Sequence, residues 1–232
     1  MYLSKLLINV ISRDFRRDHA DIRQMHRTIM SGFDDITDGT PARQSLAVLW
    51  RLDDVHRGFA LYVQSLAKPE WARLPADYLA ETARVRTLQP VLDSIAPGRR
   101  FAFRLVASPT RTIPRPADRE RVAEGRRTQG IKVPHHKPEN QIDWLVRQGE
   151  RMGFVIPSGR NGQPDVAPTP CLKLIGQQRS GERGPITITP VRFDGHLVIT
   201  DNTAFAEAIR TGIGRGKAYG CGLVSLAPAR NG

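Results

Sequence analysis

The chain has 232 residues, 40% of them apolar, enough to bury one large core or two small ones. Its 35 lysines and arginines against 23 acidic residues give a formal charge of +12, and 29 of the 35 are arginine; a polyanion is the natural partner, since guanidinium forks match phosphate. Two cysteines, Cys171 and Cys221, exclude a disulfide framework or a cysteine zinc centre and fit a reducing cytoplasm, and no apolar run suits an export signal or a bilayer span.

In chain order, YLSKLLINV alternates as a first strand, and DIRQMHRTIMSGF reads as a helix with Ile22, Met25, Ile29 and Phe33 on one face. SLAVLWRLDD and GFALYVQSLA are two strands around a turn at His56-Arg57, and a helix is expected near Pro75–Arg84. After a break at DSIAPGRR the pattern restarts. Strand RFAFRLVAS is followed by helix ENQIDWLVRQGERM with Ile142, Leu145 and Val146 inward, then by strand ITITPVRF, a hairpin turn at Asp194-Gly195 and strand HLVIT. DNTAFAEAIRT is the last helix, capped by Asp201 or Asn202, buried through Phe205, Ala208 and Ile209 and stopped at Gly212; GCGLVSLAP is the final strand. The economical reading is α+β: two tandem ferredoxin-like, RRM-like β-α-β-β-α-β units, residues 1–92 and 100–232, joined by a linker at 93–99. Thr110–Pro138 has no clear period and is expected as a long basic loop or an irregular hairpin.

GIGRGKAYGCG, residues 212–222, is the most unusual stretch. The Walker pattern fails because Thr211 and Ala218 stand where glycine and a hydroxyl are required, and the dinucleotide fingerprint fails at Lys217. Both loops should also open a helix early in an α/β domain. No nucleotide or other cofactor is therefore expected. RGFA at 57–60 matches the start of an RNA-recognition strand, but Leu61 replaces the second stacking aromatic.

Gly212-x-Gly214 and Gly220-x-Gly222 before a last strand resemble the glycine-rich loop of the repeat-associated RNA-binding proteins of CRISPR systems. Together with MYLSKLLIN, MHRT, FRLVASP and QIDWL, the resemblance from Met1 to Pro228 is to the CasE family, the repeat-processing endoribonuclease subunits of type I-E Cascade. It implies a metal-independent cut at the base of the CRISPR repeat hairpin. Retention of the mature guide RNA and assembly with other Cascade subunits follow from the same likeness. His26 aligns with the family's catalytic histidine. Two departures stand out: Arg23 replaces a tyrosine common three residues before it, and Val106 replaces a cation in FRLRANP.

The residues suit such chemistry. A metal-free cut needs one group to take the 2′-hydroxyl proton, a proton for the leaving oxygen, and cations for the phosphorane. Arg23, His26 and Arg27 share one helix edge, just off the buried stripe. Arg23 would neutralise the phosphorane or sit in water. Arg111, Arg126, Arg127 and Lys132 in the basic stretch, and Arg27, Gly214, Arg215, Gly216, Lys217 and Gly220, are the expected RNA contacts. His19, His56 and His196 fall at polar turns or before the helix, and the pair His135-His136 has no ligand partner at metal spacing, so no metal site is expected. A non-catalytic RNA-binding scaffold and a basic DNA-binding protein are the alternatives; the latter has no helix-turn-helix or zinc signature.

Overall fold

The computed structural model describes residues 1–34, 42–115, 123, 130–177 and 185–229. The first unit contains β1 (Tyr2–Leu7), α1 (Arg13–Ala20), α2 (Ile22–Met30), α3 (Ala42–Ser45), β2 (Leu49–Val55), β3 (Gly58–Ser65), β4 (Arg84–Thr87) and α4 (Gln89–Asp93). Its sheet runs β2-β3-β1-β4, antiparallel throughout. The stripe Ile22, Met25, Ile29 and Phe33 closes one face of that sheet against Leu6, Trp50, Leu61 and Val63.

The second unit contains β5 (Arg100–Ala107), β6 (Thr110–Ile113), β7 (Ile131–Pro134), α5 (Pro138–Met152), β8 (Phe154–Val155), β9 (Val166–Pro170), β10 (Leu174–Gly176), β11 (Ile186–Ile188), β12 (Val191–Ile199), α6 (Asn202–Thr211) and β13 (Val224–Pro228). Its main sheet runs β13-β5-β12-β8, and β9 also pairs with β12. Counted within each unit, both main sheets therefore read fourth-first-third-second strand, the ferredoxin-like order the sequence predicts.

Three expectations are corrected and a fourth is refined. The segment expected as a helix at Pro75–Arg84 is irregular: Leu74 is extended ahead of Pro75, Leu79 bridges to Ile8, and Arg84 begins β4. Trp71, Leu74 and Tyr78 plug the core there instead of a helix face. Asp194-Gly195 is no hairpin turn, because β12 runs straight through it with β5 on one side and β9 on the other. Glycine serves there for close approach, since a Cβ on Gly195 would lie 2.3 Å from the Asp165 carbonyl oxygen. His19 precedes α2 as expected, but the polar lead-in is itself a helix, α1, eight residues capped by the Ser12 hydroxyl. Helix α5 buries Gln141, Trp144, Leu145, Gln148 and Gly149, while Ile142 and Val146 are only half-buried. The face is rotated because Trp144 stacks on Phe193 at 6.2 Å.

Strand β2 joins the two units. Leu49, Trp50 and Arg51 are all buried, against the usual alternation, because this strand is covered by the segment 209–223 as well as by its own sheet. Trp50 Nε1 donates to the Ala218 carbonyl at 3.2 Å, and Gln64 Nε2 on β3 donates to Ile209 at 2.7 Å. The Arg51 guanidinium grips Asp53 at 2.7 and 2.9 Å and also reaches the carbonyls of Leu223 and Arg104. The last helix, the glycine-rich segment and the final strand are thus pinned to the first unit.

Candidate functional site

The site is built where α2 of the first unit meets the glycine-rich segment of the second. Asp21 fixes the start of α2: its side chain accepts from the Arg23 amide at 3.1 Å and from the Gln177 amide at 3.2 Å, so the helix N-terminus is tied to the chain just after β10. Met25 and Ile29 face the core, which turns His26 toward the short 3-10 turn Lys217–Tyr219. The His26 imidazole meets the Tyr219 ring edge-on, with centroids 6.2 Å apart and planes at 67°. Its Nδ1 is buried and has no hydrogen-bond partner among the described residues.

The surroundings are cationic. Burial and the nearby Arg43 of α3 push the His26 pKa down to about 4, so the imidazole is neutral near pH 7. Burial and the same Arg43 lower the Lys217 pKa, against a weaker opposing pull from Glu207, and burial lowers Arg43 itself. Arg43, His26 and Lys217 thus occupy a region where a further negative group would relieve repulsion. Arg23 lays its stem on Gly176 of β10, where a glycine Cβ would sit 3.0 Å from Arg23 Cγ. Only Arg27 of the expected helix edge is exposed, and it donates to Gln24 at 3.1 Å. The edge that spacing alone leaves open to water is therefore half covered.

The glycine-rich segment has its own structural demands. Gly212, Gly214, Gly216, Gly220 and Gly222 all take positive φ, between +75° and +95°. A Cβ on Gly214 would lie 3.1 Å from the Trp144 ring, and one on Gly220 would lie 3.1 Å from the Trp50 ring. The glycine content is thereby explained by the path of the chain between the two tryptophans, without reference to a ligand. The amides of Ile213, Tyr219, Cys221 and Gly222 donate to carbonyls of the segment or of β5. Arg215 projects into solvent and Lys217 is half-buried.

The remaining expected RNA contacts lie elsewhere. Arg111 and Lys132 are exposed on the antiparallel ribbon β6–β7, the hairpin of the two forms expected for this basic stretch, and Lys132 Nζ donates to the Thr112 hydroxyl. Arg126 and Arg127 lie outside the described residues. Of the other histidines, His19 packs on Phe15 and Phe59, and His196 Nδ1 pairs with Asp165 at 2.9 Å. Among the described residues no three His, Cys, Asp or Glu side chains gather as a metal-binding group, and no helix is long and apolar enough to cross a membrane.

Sequence reasoning missed Arg43 and Tyr219. Arg43 lies on a four-residue helix with no periodicity to mark it, and Tyr219 is far from His26 in sequence. The one available signal for Tyr219 is an aromatic residue inside a stretch otherwise made of glycine and small or basic residues.

The family model described as CRISPR associated protein matches residues 1–228. The CRISPR-associated endoribonuclease Cse3 of Thermus thermophilus is 31% identical over 233 residues, covering 98% of this chain and 100% of the relative. The CRISPR system Cascade subunit CasE of Escherichia coli is 30% identical over 235 residues, with 98% and 100% covered. A solved structure of the endoribonuclease Cse3 bound to a 19-nucleotide RNA superposes with a TM-score of 0.78 at 29% identity, covering 98% of this chain and 100% of that one.

Proposed function

Because the chain belongs to the CRISPR-associated protein family, we propose that it is the endoribonuclease that cuts CRISPR repeat RNA at the base of its hairpin, without a metal ion, and keeps the mature guide RNA as a Cascade subunit. The observation that carries this reading is a neutral, half-buried His26 beside Arg43 and the Lys217–Tyr219 turn, where two units meet. Its partners are then the repeat hairpin and the other Cascade subunits, in the cytoplasm. The units of the reading are residues 1–92 and 100–232 joined by a linker at 93–99, supported by α4 ending at Asp93 and β5 beginning at Arg100.

The chemistry follows from the ionisation states. The RNA 2′-hydroxyl gives its proton to a neutral imidazole, its oxygen attacks the adjacent phosphorus, and the bond to the 5′-oxygen breaks. A 2′,3′-cyclic phosphate and a 5′-hydroxyl form once the leaving oxygen takes a proton. A pKa of about 4 leaves His26 in the neutral form that the first transfer needs. The arriving phosphate raises the proton affinity of the imidazole, which suits it to donate in turn. Arg23, Arg43 and Lys217 offset the added charge of the phosphorane. Arg27, Arg215, Arg111 and Lys132, with the backbone at Gly214, Gly216 and Gly220, hold the flanking phosphates.

A single 2′-deoxy substitution 5′ of the scissile phosphate tests the mechanism. Cleavage should stop while binding persists, and excess chelator should change neither. Cleavage of the deoxy substrate, or a strict need for Mg²⁺, would replace the RNA nucleophile with a metal-activated water.

A further inference from the structure

A histidine that carries protons is ordinarily oriented by a hydrogen bond on its other ring nitrogen, to a carboxylate or a backbone carbonyl. His26 has no such bond on Nδ1 among the described residues, although that atom is buried. Among the described residues, then, it is packing that orients the imidazole. The ring set against it is Tyr219, contributed by the other unit.

Tyr219 is itself held firmly. Its amide donates to Gly216 at 2.8 Å, the preceding carbonyl of Ala218 accepts from Trp50 Nε1, and Gly220 on its far side lies flat against the Trp50 ring. Although it belongs to the second unit, its side chain packs on the apolar core of the first. The charged groups around the pair are Arg43 from α3, Lys217 from the same 3-10 turn, and Arg23 and Arg27 from α2 itself. The causes that set the His26 pKa are burial and Arg43, both of which disfavour the charged ring. Among the described residues no carboxylate contributes to holding it.

We propose that Tyr219 is the positioning residue for His26: its ring, delivered by the glycine-rich segment, keeps Nδ1 turned into the protein so that proton transfer runs through Nε2. The proposal rests on the reading of His26 as the proton carrier. It gives the glycine-rich segment a catalytic purpose that does not require it to touch RNA. The five positive-φ turns place one aromatic ring against a helix in another unit.

The test uses the full chain with Tyr219→Phe, Tyr219→Leu and His26→Ala. Single-turnover cleavage of repeat hairpin RNA is measured against pH, the Kd for the same RNA is measured separately, and the His26 imidazole is titrated by NMR in the RNA-free protein. Tyr219→Leu keeps apolar bulk and so keeps the core filled, but it removes the ring. It should slow cleavage about 10- to 100-fold, since small misplacement of a reacting group has that effect. Its Kd should be unchanged, and the His26 titration should move up toward 6.5 as water reaches the ring. Tyr219→Phe should restore both rate and titration. The proposal is overturned if Tyr219→Leu cleaves and titrates like the parent, or if Tyr219→Phe is as slow as Tyr219→Leu, which would make the hydroxyl the working group. Normal cleavage by His26→Ala would instead overturn the underlying assignment. An inactive His26→Ala beside a normal Tyr219→Leu overturns the positioning role alone.

Discussion

The two units share one strand order and differ in what fills the position of the second ferredoxin helix. The second unit has a regular helix there, α6, whose Phe205, Ala208 and Ile209 cover the sheet. The first unit has an irregular segment plugged by Trp71, Leu74 and Tyr78. Strand pairing and a filled core are therefore sufficient for the fold, and a helix in that slot is dispensable. Chemistry divides along the same line. In the proposed reading the first unit supplies the titrating group, and the second supplies the segment that packs against it. Neither half of the site is complete alone, so changes in each unit should fail in different ways.

The largest contrast should come from the titrating group itself. His26→Ala is expected to slow cleavage by about 10²–10⁴-fold. Its Kd for repeat RNA should stay near the parent value, because the ring is half-buried and the proposed phosphate contacts are made by other side chains. A loss of binding of the same size would make the residue part of the grip rather than the chemistry. Next comes the joint between the units. Arg51 is 3% exposed and bonds Asp53 and two carbonyls, so Arg51→Met leaves a largely buried carboxylate with, among the described residues, Arg104 at 3.6 Å as its remaining ion pair. Breaking such a pair costs about 3 kcal/mol of stability. Thermal unfolding should show a lower Tm, and cleavage at permissive temperature should slow because Tyr219 is no longer fixed against α2. Unchanged unfolding would mean that Trp50 and Gln64 suffice to hold the units.

The legibility of the sequence follows the same division. Strands and helices whose apolar period faces one core, such as α2 and α6, could be read directly, because burial on a single side imposes the period. β12 misled because Asp194-Gly195 carries the composition of a hairpin turn. Its glycine instead answers to the neighbouring strand β9, a contact with residues about thirty positions away. Pro75–Arg84 misled because its apolar residues plug a core without any period. His26 and its arginines were visible as a spacing on one helix. Tyr219 and Arg43 were not, since the site closes between units and no local pattern encodes which loop will meet which helix.

Backbone strain gives the next smaller effect. Gly220→Val would force a β-branched residue into φ +79° with its Cβ 3.1 Å from the Trp50 ring, and Gly214→Val would meet Trp144 at φ +85°. Each should lower stability by about 1–3 kcal/mol. Gly220→Val should also slow cleavage, because it displaces the turn carrying Tyr219. Gly214→Val, directed at the second unit's own core, should affect Tm more than rate. Equal effects on rate would remove the distinction. Acid stability isolates the buried imidazole. The folded His26 has a pKa of about 4 against 6.5 unfolded, so between these values the unfolded chain binds more protons and stability rises with pH. Above 6.5 both states are neutral and below 4 both are charged, so the slope belongs to that window. His26→Gln should flatten this part of the Tm-against-pH curve; an unchanged curve would place the imidazole in water.

The smallest effects should separate two candidate arms of the second unit on which RNA phosphates could lie. Arg215 and Lys217 stand on the glycine-rich segment beside the titrating group, whereas Arg111 and Lys132 stand on the ribbon β6–β7. Each true phosphate contact, once removed, lowers the slope of log affinity against log salt by roughly 0.7–0.9. Replacing a cation by Gln removes charge with little change of bulk, so a change in slope counts contacts rather than misfolding. Lys217 is half-buried and its charged form is disfavoured by burial and by Arg43, which makes it the cation whose charge a phosphate would relieve most. Lys217→Gln should therefore reduce both the slope and the cleavage rate. Arg111→Gln and Lys132→Gln should reduce the slope and leave the rate of bound RNA unchanged, as contacts away from the reacting phosphate must. If the ribbon substitutions leave the slope intact while Arg215→Gln and Lys217→Gln reduce it, the hairpin runs along the joint between the units. The ribbon is then only a charged surface.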